Sequence, residues 1–304
     1  MSANSTTTGL TQLMSIFYDK VFLDRAEADI RYDYGAQKKS VPLNSGKTVY
    51  FNRFSPLAVA TTALTEGTSP SAVSMSSTIV SATVAEYGTY TVVSSLFDMT
   101  SIDVGLKEHV EVMGQNAGET LDTLIAAALS AGGTAQIVSG KVLTAVAATD
   151  TLTGAEIRKA ARTLKQNKAK PFSDGFFRGI MPVSAAYDLR GNSDWLAANT
   201  YVNTEFYKNG QVGALHGVRF VETNNEVYVA STVNVYETYV FGANAYGTIN
   251  LAGQPDKRIY VKNPGMNDTS NPLDLYSTIG WKATFVAKVL NANWIIKIQT
   301  GVTA

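Results

Sequence analysis

The longest amphipathic segment of the chain constrains its fold more than any other feature. Between Ser101 and Ala131, apolar side chains recur every three or four residues and form one continuous stripe on a helix. The residues of this stripe are Ile102, Leu106, Val110, Met113, Ala117, Leu121, Leu124 and Ala128. Ser101 with Asp103 can cap the start of the helix, and Gly132–Gly133 predicts its end. A helix of roughly 30 residues is about 45 Å long, which exceeds the usual length in a small domain.

Three kinds of structure use a helix of this length: a coiled coil, a membrane span and a brace across an extended sheet. The stripe contains Met and several Ala residues instead of a steady Leu/Ile seam, which disfavours a coiled coil. Acidic side chains on the other faces exclude a membrane span; these are Glu108, Glu111, Glu119 and Asp122. We therefore predict a brace that packs against a sheet.

Two strand-like segments flank a long polar connection ahead of this helix. Residues Val49 to Phe54 are aromatic and β-branched, and the same residue types dominate from Thr78 to Phe97, which predicts one strand and then one or two long strands. The connection, 55–77, is small and polar, contains two prolines and has few large apolar residues. We predict a hairpin that projects from the body, because a connection of this length usually has a function of its own or is disordered.

The second half of the chain mixes short helices and strands. A basic helix begins after Thr153 and ends before Pro171, and alternation from Ile279 to Val289, followed by a turn at 291–293, predicts a hairpin with a return strand at 294–299. One face of that hairpin would be covered by the brace helix. Between them we predict a strand at 176–183, a helix at 184–190 and strands near 218–221, 227–229, 233–241 and 259–261. The fold class is α+β.

The N-terminal segment is a second amphipathic element. Apolar residues between Leu10 and Val21 recur at helical spacing, and the segment extends to about Ile30. Two alternatives stay open: this arm packs on its own domain, or it docks on a neighbouring subunit.

Residues with catalytic potential are sparse. His109 lies within the long helix and His216 precedes a strand without a nearby carboxylate, so we interpret both as packed or solvated side chains. The absence of cysteine excludes disulfides and thiolate metal sites. No metalloprotease, nucleophile-elbow, calcium-loop or P-loop motif occurs in the sequence. We expect no catalytic, cofactor-binding or metal-binding residue and no cofactor.

The charge pattern favours contact with like molecules. Charged residues make up 16% of the chain, and 25 basic residues balance 25 acidic ones, so no net charge opposes self-association. No segment reaches the roughly 20 apolar residues of a membrane span, and residues 1–9 lack an apolar signal core. We expect a soluble protein that is made in the cytoplasm and has no membrane partner.

One basic run stands out against this balance: Arg158, Lys159, Arg162, Lys165, Lys168 and Lys170. Clustered cations can bind nucleic-acid phosphates. Against that, Glu156 opens the helix and cations fill its end, as the helix dipole favours. No aromatic residue is interleaved with the cations until Phe172, so base stacking is not indicated. We therefore expect an exposed or intersubunit face.

Seven segments, in order and with compatible spacing, carry a family resemblance. They are GKTVYFNRF (46–54), TTALTEGTSP (61–70), AEYGTY (85–90), AGETLDTL (117–124), EIRKAARTLKQNKAKPF (156–172), GVRFVETNN (217–225) and NPLDLYSTIGWKA (271–283). From about Leu10 to its end, the chain resembles the major capsid proteins of tailed bacteriophages with the Hong Kong 97-type fold, in the family typified by the coat protein of the coliphage called N-four.

The resemblance implies an architecture and a set of partners. The expected parts are an N-terminal arm (1–45), an extended loop hairpin (46–90), a peripheral domain (91–149 and 271–304, with the spine helix 101–131) and an axial domain (150–270). The implied function is a shell subunit that forms pentamers and hexamers in the virion and encloses double-stranded DNA, which it contacts non-specifically. A separate scaffolding protein, a portal and an optional decoration protein are the other expected partners.

Intersubunit contacts are expected at the extended loop and at the arm. The loop residues are Leu64, Thr65, Glu66 and Pro70, and the arm residues are Phe17 and Tyr18. No lysine occurs between Lys47, at the base of the loop, and Lys107, so the lysine cross-link of some members of the fold is not available to this loop. Two rival functions are an encapsulin-type nanocompartment subunit and an α+β hydrolytic or carbohydrate-active enzyme.

Overall fold

The computed structural model describes residues 19–26, 30–42, 46–55, 57–100, 105–192, 195, 213–251, 257–262, 273 and 275–303. Helix α1 covers residues 19–26. The other helices are α2 (Ser95–Thr100), α3 (Gly105–Gly132), α4 (Gly154–Gln166) and α5 (Val183–Arg190). The strands are β1 (Gln37–Val41), β2 (Thr48–Phe54), β3 (Ser77–Thr83), β4 (Ala85–Ser94), β5 (Thr134–Ile137), β6 (Phe177–Pro182), β7 (Ala214–Leu215), β8 (Val218–Thr223), β9 (Tyr228–Ala230), β10 (Asn234–Phe241), β11 (Tyr246–Leu251), β12 (Lys257–Lys262), β13 (Tyr276–Val289) and β14 (Ile295–Thr300).

These strands form three sheets. The five-stranded sheet has the order β1-β11-β13-β12, with β4 also paired to β13. The seven-stranded sheet has the order β5-β14-β10-β6-β8-β7, with β9 also paired to β10. Strands β2 and β3 form a separate antiparallel pair.

Helix α3 is the predicted brace, and it spans both larger sheets. Its first half packs Val110, Ala117 and Leu121 against the face of β13 that carries Ile279 and Trp281. Its second half contacts the seven-stranded sheet, where Ile125, Ala126 and Leu129 share a core with Ile180, Tyr239, Phe241 and Ile295. A helix of 28 residues is about 42 Å long, so one rod supports both sheets. The predicted cap residues Ser101 and Asp103 lie outside the described residues.

A hydrogen bond fixes the register of α3 on the five-stranded sheet. The indole N–H of Trp281 donates to the side-chain oxygen of Asn116 at 2.9 Å. Because Trp281 is buried, the polar end of its ring needs this partner. The side chain of Asn116 therefore anchors the middle of the helix to β13.

The described part of the N-terminal arm packs on its own chain. In α1, Phe22 and Ala26 are fully buried in the core that α3 and β13 share. Gly114 of α3 permits this approach, since a Cβ there would lie 2.8 Å from the carbonyl oxygen of Phe22. Of the two alternatives for the arm, packing within the chain holds for residues 19–26. Residues Leu10 to Tyr18 lie outside the described residues.

The predicted C-terminal hairpin is wrong. Strand β13 pairs with β4, β11 and β12, whereas β14 lies between β10 and β5 in the other sheet. The turn at Asn291–Trp294 carries the chain from one sheet to the next, and the N–H groups of Leu290 and Asn291 both donate to the carbonyl of Ala245. Alternation with a period of two predicts which face of a strand is buried. It does not predict which strand lies beside it.

Strand pairing also departs from the expected domain boundaries at three strands. The extended hairpin consists of β2 and β3, while β4 pairs with β13 from Ala85 onward. Strand β11, from the segment expected to be axial, pairs with β13. Strand β14, from the segment expected to be peripheral, belongs to the seven-stranded sheet. Helices α4 and α5 and strands β6, β8, β9, β10 and β12 lie where the sequence predicts them.

Candidate assembly surfaces

The hairpin β2–β3 is anchored at its base. Val49, Phe51 and Ala82 are buried in a small core with Val41 of β1 and Ile249 of β11. The ammonium group of Lys39 lies 4.8 Å from the centre of the Phe51 ring and donates to the carbonyl of Tyr50 at 3.2 Å. These contacts attach the hairpin to the edge of the five-stranded sheet.

Beyond this base the hairpin is exposed and carries large apolar side chains among small and polar ones. Every described residue from Leu57 to Ile79 is exposed. The large apolar side chains among them are Leu57, Val59, Leu64, Val73, Met75 and Ile79. Exposed apolar side chains grouped on one projecting hairpin are a candidate surface for contact with other molecules. We call residues 57–79 the hairpin tip.

The predicted loop contacts all lie on the hairpin tip. Leu64, with 75% of its surface exposed, precedes a turn in which the N–H of Thr68 donates to the carbonyl of Thr65 at 3.1 Å. Gly67 supplies the positive φ of +77° that the third position of this turn requires. Glu66 and Pro70 are exposed as well. The predicted arm contacts, Phe17 and Tyr18, lie outside the described residues.

Sequence reasoning missed part of this surface. It named Leu64 as the large apolar residue of 60–70, but Leu57, Val59, Val73 and Met75 are also more than half exposed. The signal was present in the sequence, because these side chains are scattered through a segment without the alternation of a buried strand.

A second exposed surface lies on the face of the five-stranded sheet opposite α3. In register, Tyr90 of β4 and Tyr260 of β12 flank Gly280 of β13, and both tyrosine side chains are exposed. Lys282 pairs with Glu86 at 2.9 Å on the same face. The hydrogen bond from Lys282 to Glu86 raises the pKa of this lysine. The face is thus aromatic with a charged border.

A buried polar network connects the arm segment 30–36 to both halves of the chain. Asp122 of α3, fully buried, accepts the backbone N–H groups of Arg31 at 2.7 Å and Tyr32 at 2.6 Å. It also accepts the side-chain N–H of Asn225 at 3.2 Å. Burial raises the pKa of Asp122, and the hydrogen bonds from Tyr32, Arg31 and Asn225 oppose that rise. Asp122 lies outside the apolar stripe of α3, as the sequence predicts, yet it is fully buried.

Close packing fixes the same arm segment against the seven-stranded sheet. The guanidinium of Arg178 lies 4.3 Å from the ring centres of both Tyr34 and Phe172. Gly35 has a φ of +94°, and a Cβ there would lie 2.9 Å from the rings of Phe172 and Phe241. Only glycine fits at this position, because it adopts the positive φ readily and has no Cβ that would clash with the two rings.

The residues with catalytic potential do not come together. His216 is an exposed turn residue with a φ of +51°, and His109 lies on α3. In the described part of the chain, no three His, Asp or Glu side chains are placed to hold a metal ion. No helix among the described residues is both long and apolar enough to cross a membrane.

Comparisons with known proteins give fold neighbours and no sequence relatives. No family model matches the sequence, and no curated protein matches it. Among solved structures, the capsid of Ralstonia phage GP4 superposes with a TM-score of 0.66 at 12% identity, over 91% of this chain and 93% of that one. The capsid subunit of cyanophage Pam1 gives 0.63 at 15% identity, over 93% of both chains. The chain has the fold of phage capsid subunits.

The capsid fold extends beyond phages. A virus-like particle from Pyrococcus furiosus matches with a TM-score of 0.55 at 10% identity, over 94% of this chain and 99% of that one. At identities this low, the likeness concerns the fold. The Hong Kong 97-type capsid fold predicted from the sequence, with its α+β class, is confirmed.

Proposed function

We propose that the chain is a major capsid protein that self-assembles into the icosahedral head shell of a tailed bacteriophage and encloses double-stranded DNA. The observation that carries this proposal is the exposed apolar hairpin tip on a chain that matches phage capsid subunits over about nine-tenths of its length. A monomer rarely leaves such a surface uncovered. A neighbouring copy of the chain is its natural cover.

Under this proposal, the function of the chain is assembly and not catalysis. A closed shell of like subunits needs heterologous contacts that curve and close on themselves. Each contact is modest, and many together are strong. The hairpin tip suits this task because its apolar area is removed from water only when a neighbour is present, at about 25 cal/mol for each Å².

The remaining parts follow the capsid fold. Residues 1–45 form the arm, 46–90 the extended loop, 91–149 and 271–304 the peripheral domain, and 150–270 the axial domain at which pentamers and hexamers meet. The strand exchange of β11 and β14 adds one strand from each domain to the sheet of the other. A separate scaffolding protein, a portal and an optional decoration protein complete the head, which is assembled in the host cytoplasm.

The alternative, an encapsulin-type shell around enzyme cargo, is not favoured. One non-phage shell, the virus-like particle from Pyrococcus furiosus, is among the structural neighbours. Its TM-score of 0.55 is below the 0.66 of the phage GP4 capsid. The phage shell therefore stands first.

Deleting residues 62–70 tests the proposal. The deleted residues are all exposed, and the strands that pair at the hairpin base are left intact. We expect a folded subunit, by circular dichroism, that forms no shells in electron micrographs, whereas the full chain forms shells of defined diameter. Normal shells from the deletion variant would exclude the hairpin tip as an essential contact. A full chain that stays monomeric with every neighbouring head protein present would exclude the function.

A further inference from the structure

Helix α4 has one buried apolar face and one exposed cationic face. Ile157, Ala160 and Leu164 are fully buried against the seven-stranded sheet. On the opposite side, Arg158, Arg162 and Lys165 are exposed. Their spacing of four and then three residues aligns them along one side of the helix over about 10 Å.

These three cations have no anionic partner among the described residues. The ion pair that α4 does make is local, between Lys159 and Glu156 at 3.9 Å. The helix dipole explains a cation in the last turn, which here is Lys165. It does not explain Arg158 or Arg162, because the effect decays within one turn of the helix end.

The cationic face borders a shallow, open depression of about 530 Å³. Its lining consists of Arg158, Ala161, Arg162, Lys165 and Gln166 of α4 together with His216. No carboxylate and no Phe, Tyr or Trp side chain is part of this lining, which also includes the imidazole of His216. Cations and amide donors converge on a space that is open to solvent, as an anion site requires.

We propose that this depression binds backbone phosphates of duplex DNA, without sequence preference. The proposal rests on the proposed function, which places double-stranded DNA next to the subunit. A duplex carries one negative charge per about 1.7 Å of its axis, so several phosphates fall within reach of three cations spread over about 10 Å. The lack of Phe, Tyr and Trp in this lining argues against single strands, whose bases stack on such residues. The sequence predicts an exposed or intersubunit face at this helix; the face is exposed, and the proposal adds DNA as its occupant.

The test measures binding of the purified chain to a labelled duplex of about 30 base pairs and random sequence, by fluorescence anisotropy between about 50 and 200 mM salt. The variant combines Arg158→Gln, Arg162→Gln and Lys165→Gln. We expect its affinity to fall at least tenfold and its salt slope to fall by about 0.9 for each cation removed. Circular dichroism should be unchanged, since the three side chains are exposed.

A charge-matched control combines Lys20→Gln, Lys47→Gln and Lys288→Gln, three exposed lysines on other elements. It should bind DNA within twofold of the unmodified chain. Equal losses in both triple variants would overturn the proposal, because net charge alone would then govern binding. Binding to labelled polyglutamate but not to the duplex would also overturn it, and would indicate an acidic protein segment as the occupant.

Electron micrographs separate this inference from the proposed function. Shells formed by the Arg158/Arg162/Lys165 variant, together with lost DNA binding, support the DNA site. DNA binding equal to that of the unmodified chain, together with normal shells, overturns the site and leaves the capsid function intact.

Discussion

The carboxylate of Asp122 accepts the backbone N–H of Tyr32 at 2.6 Å in a site fully closed to solvent. One acidic side chain of α3 thereby holds the arm segment and, through Asn225, the turn between β8 and β9. The phenol of Tyr32 in turn donates to the carbonyl of Asn225 at 3.1 Å, which closes the network.

Replacement of Asp122 with alanine should lower the free energy of unfolding by about 3 kcal/mol. The change removes the acceptor of the buried Tyr32 N–H and of the part-buried Arg31 N–H, and hydrogen bonds to a charged group contribute about 1.5–3 kcal/mol each. Urea denaturation measures the loss, and hydrogen exchange of the two amides should accelerate. Glu119→Gln, an exposed position on the same helix, is the control. A loss as large in Glu119→Gln would contradict the role given to Asp122.

The stability difference between the unmodified chain and Asp122→Asn should depend on pH. Burial raises the pKa of Asp122 above its ordinary value of 3.8. Below that value the carboxyl is protonated in both states, and as pH rises the unfolded chain ionises first, which favours unfolding. Asparagine does not titrate. The advantage of the unmodified chain should therefore shrink as the pH rises above about 4, as measured by urea denaturation. A difference that widens with pH would show that the folded carboxyl has a lowered pKa.

Gly35→Ala should destabilise the chain more than Gly67→Ala, although both glycines have positive φ. At Gly35 the new methyl group meets two aromatic rings at 2.9 Å, whereas nothing lies within 4 Å of a Cβ at Gly67. Overpacking adds about 1–3 kcal/mol to a backbone strain of about 1–2 kcal/mol. Thermal unfolding of the two variants makes the comparison. Equal melting temperatures would mean that the arm does not pack against Phe172 and Phe241.

Leu64→Ser should reduce shell formation without lowering the stability of the subunit. Leu64 is 75% exposed, so the subunit gains little from burying it, whereas a neighbour that covers it loses apolar contact. Val142→Ser is the matched control, since Val142 is 65% exposed and lies outside the hairpin tip. Shell yield by sedimentation and electron microscopy should fall for Leu64→Ser alone. Equal yields for both variants would remove Leu64 from the contact.

Local patterns in the sequence predicted where helices and strands lie better than they predicted which elements pack or pair with each other. The apolar stripe from Val110 to Leu121 alone predicts helix α3, because helical periodicity depends only on the residues of one segment. The position of β14 was missed because a short turn such as Asn291–Trp294 is compatible with a hairpin and also with a crossing between sheets. Acidic residues are usually exposed, so nothing in the sequence indicated that Asp122 is buried. Its burial depends on backbone N–H groups about 90 residues away in the chain.

The span of α3 beneath both sheets has a geometric consequence for a shell. A packed helix deforms little, so a rotation of one sheet against the other would break the contacts of Leu121 or of Leu129 with their separate cores. The two larger sheets and α3 then move as one rigid body. A subunit that adapts to different curvature in five-fold and six-fold surroundings would have to bend where the hairpin joins this body, at the small core around Phe51 and Ile249.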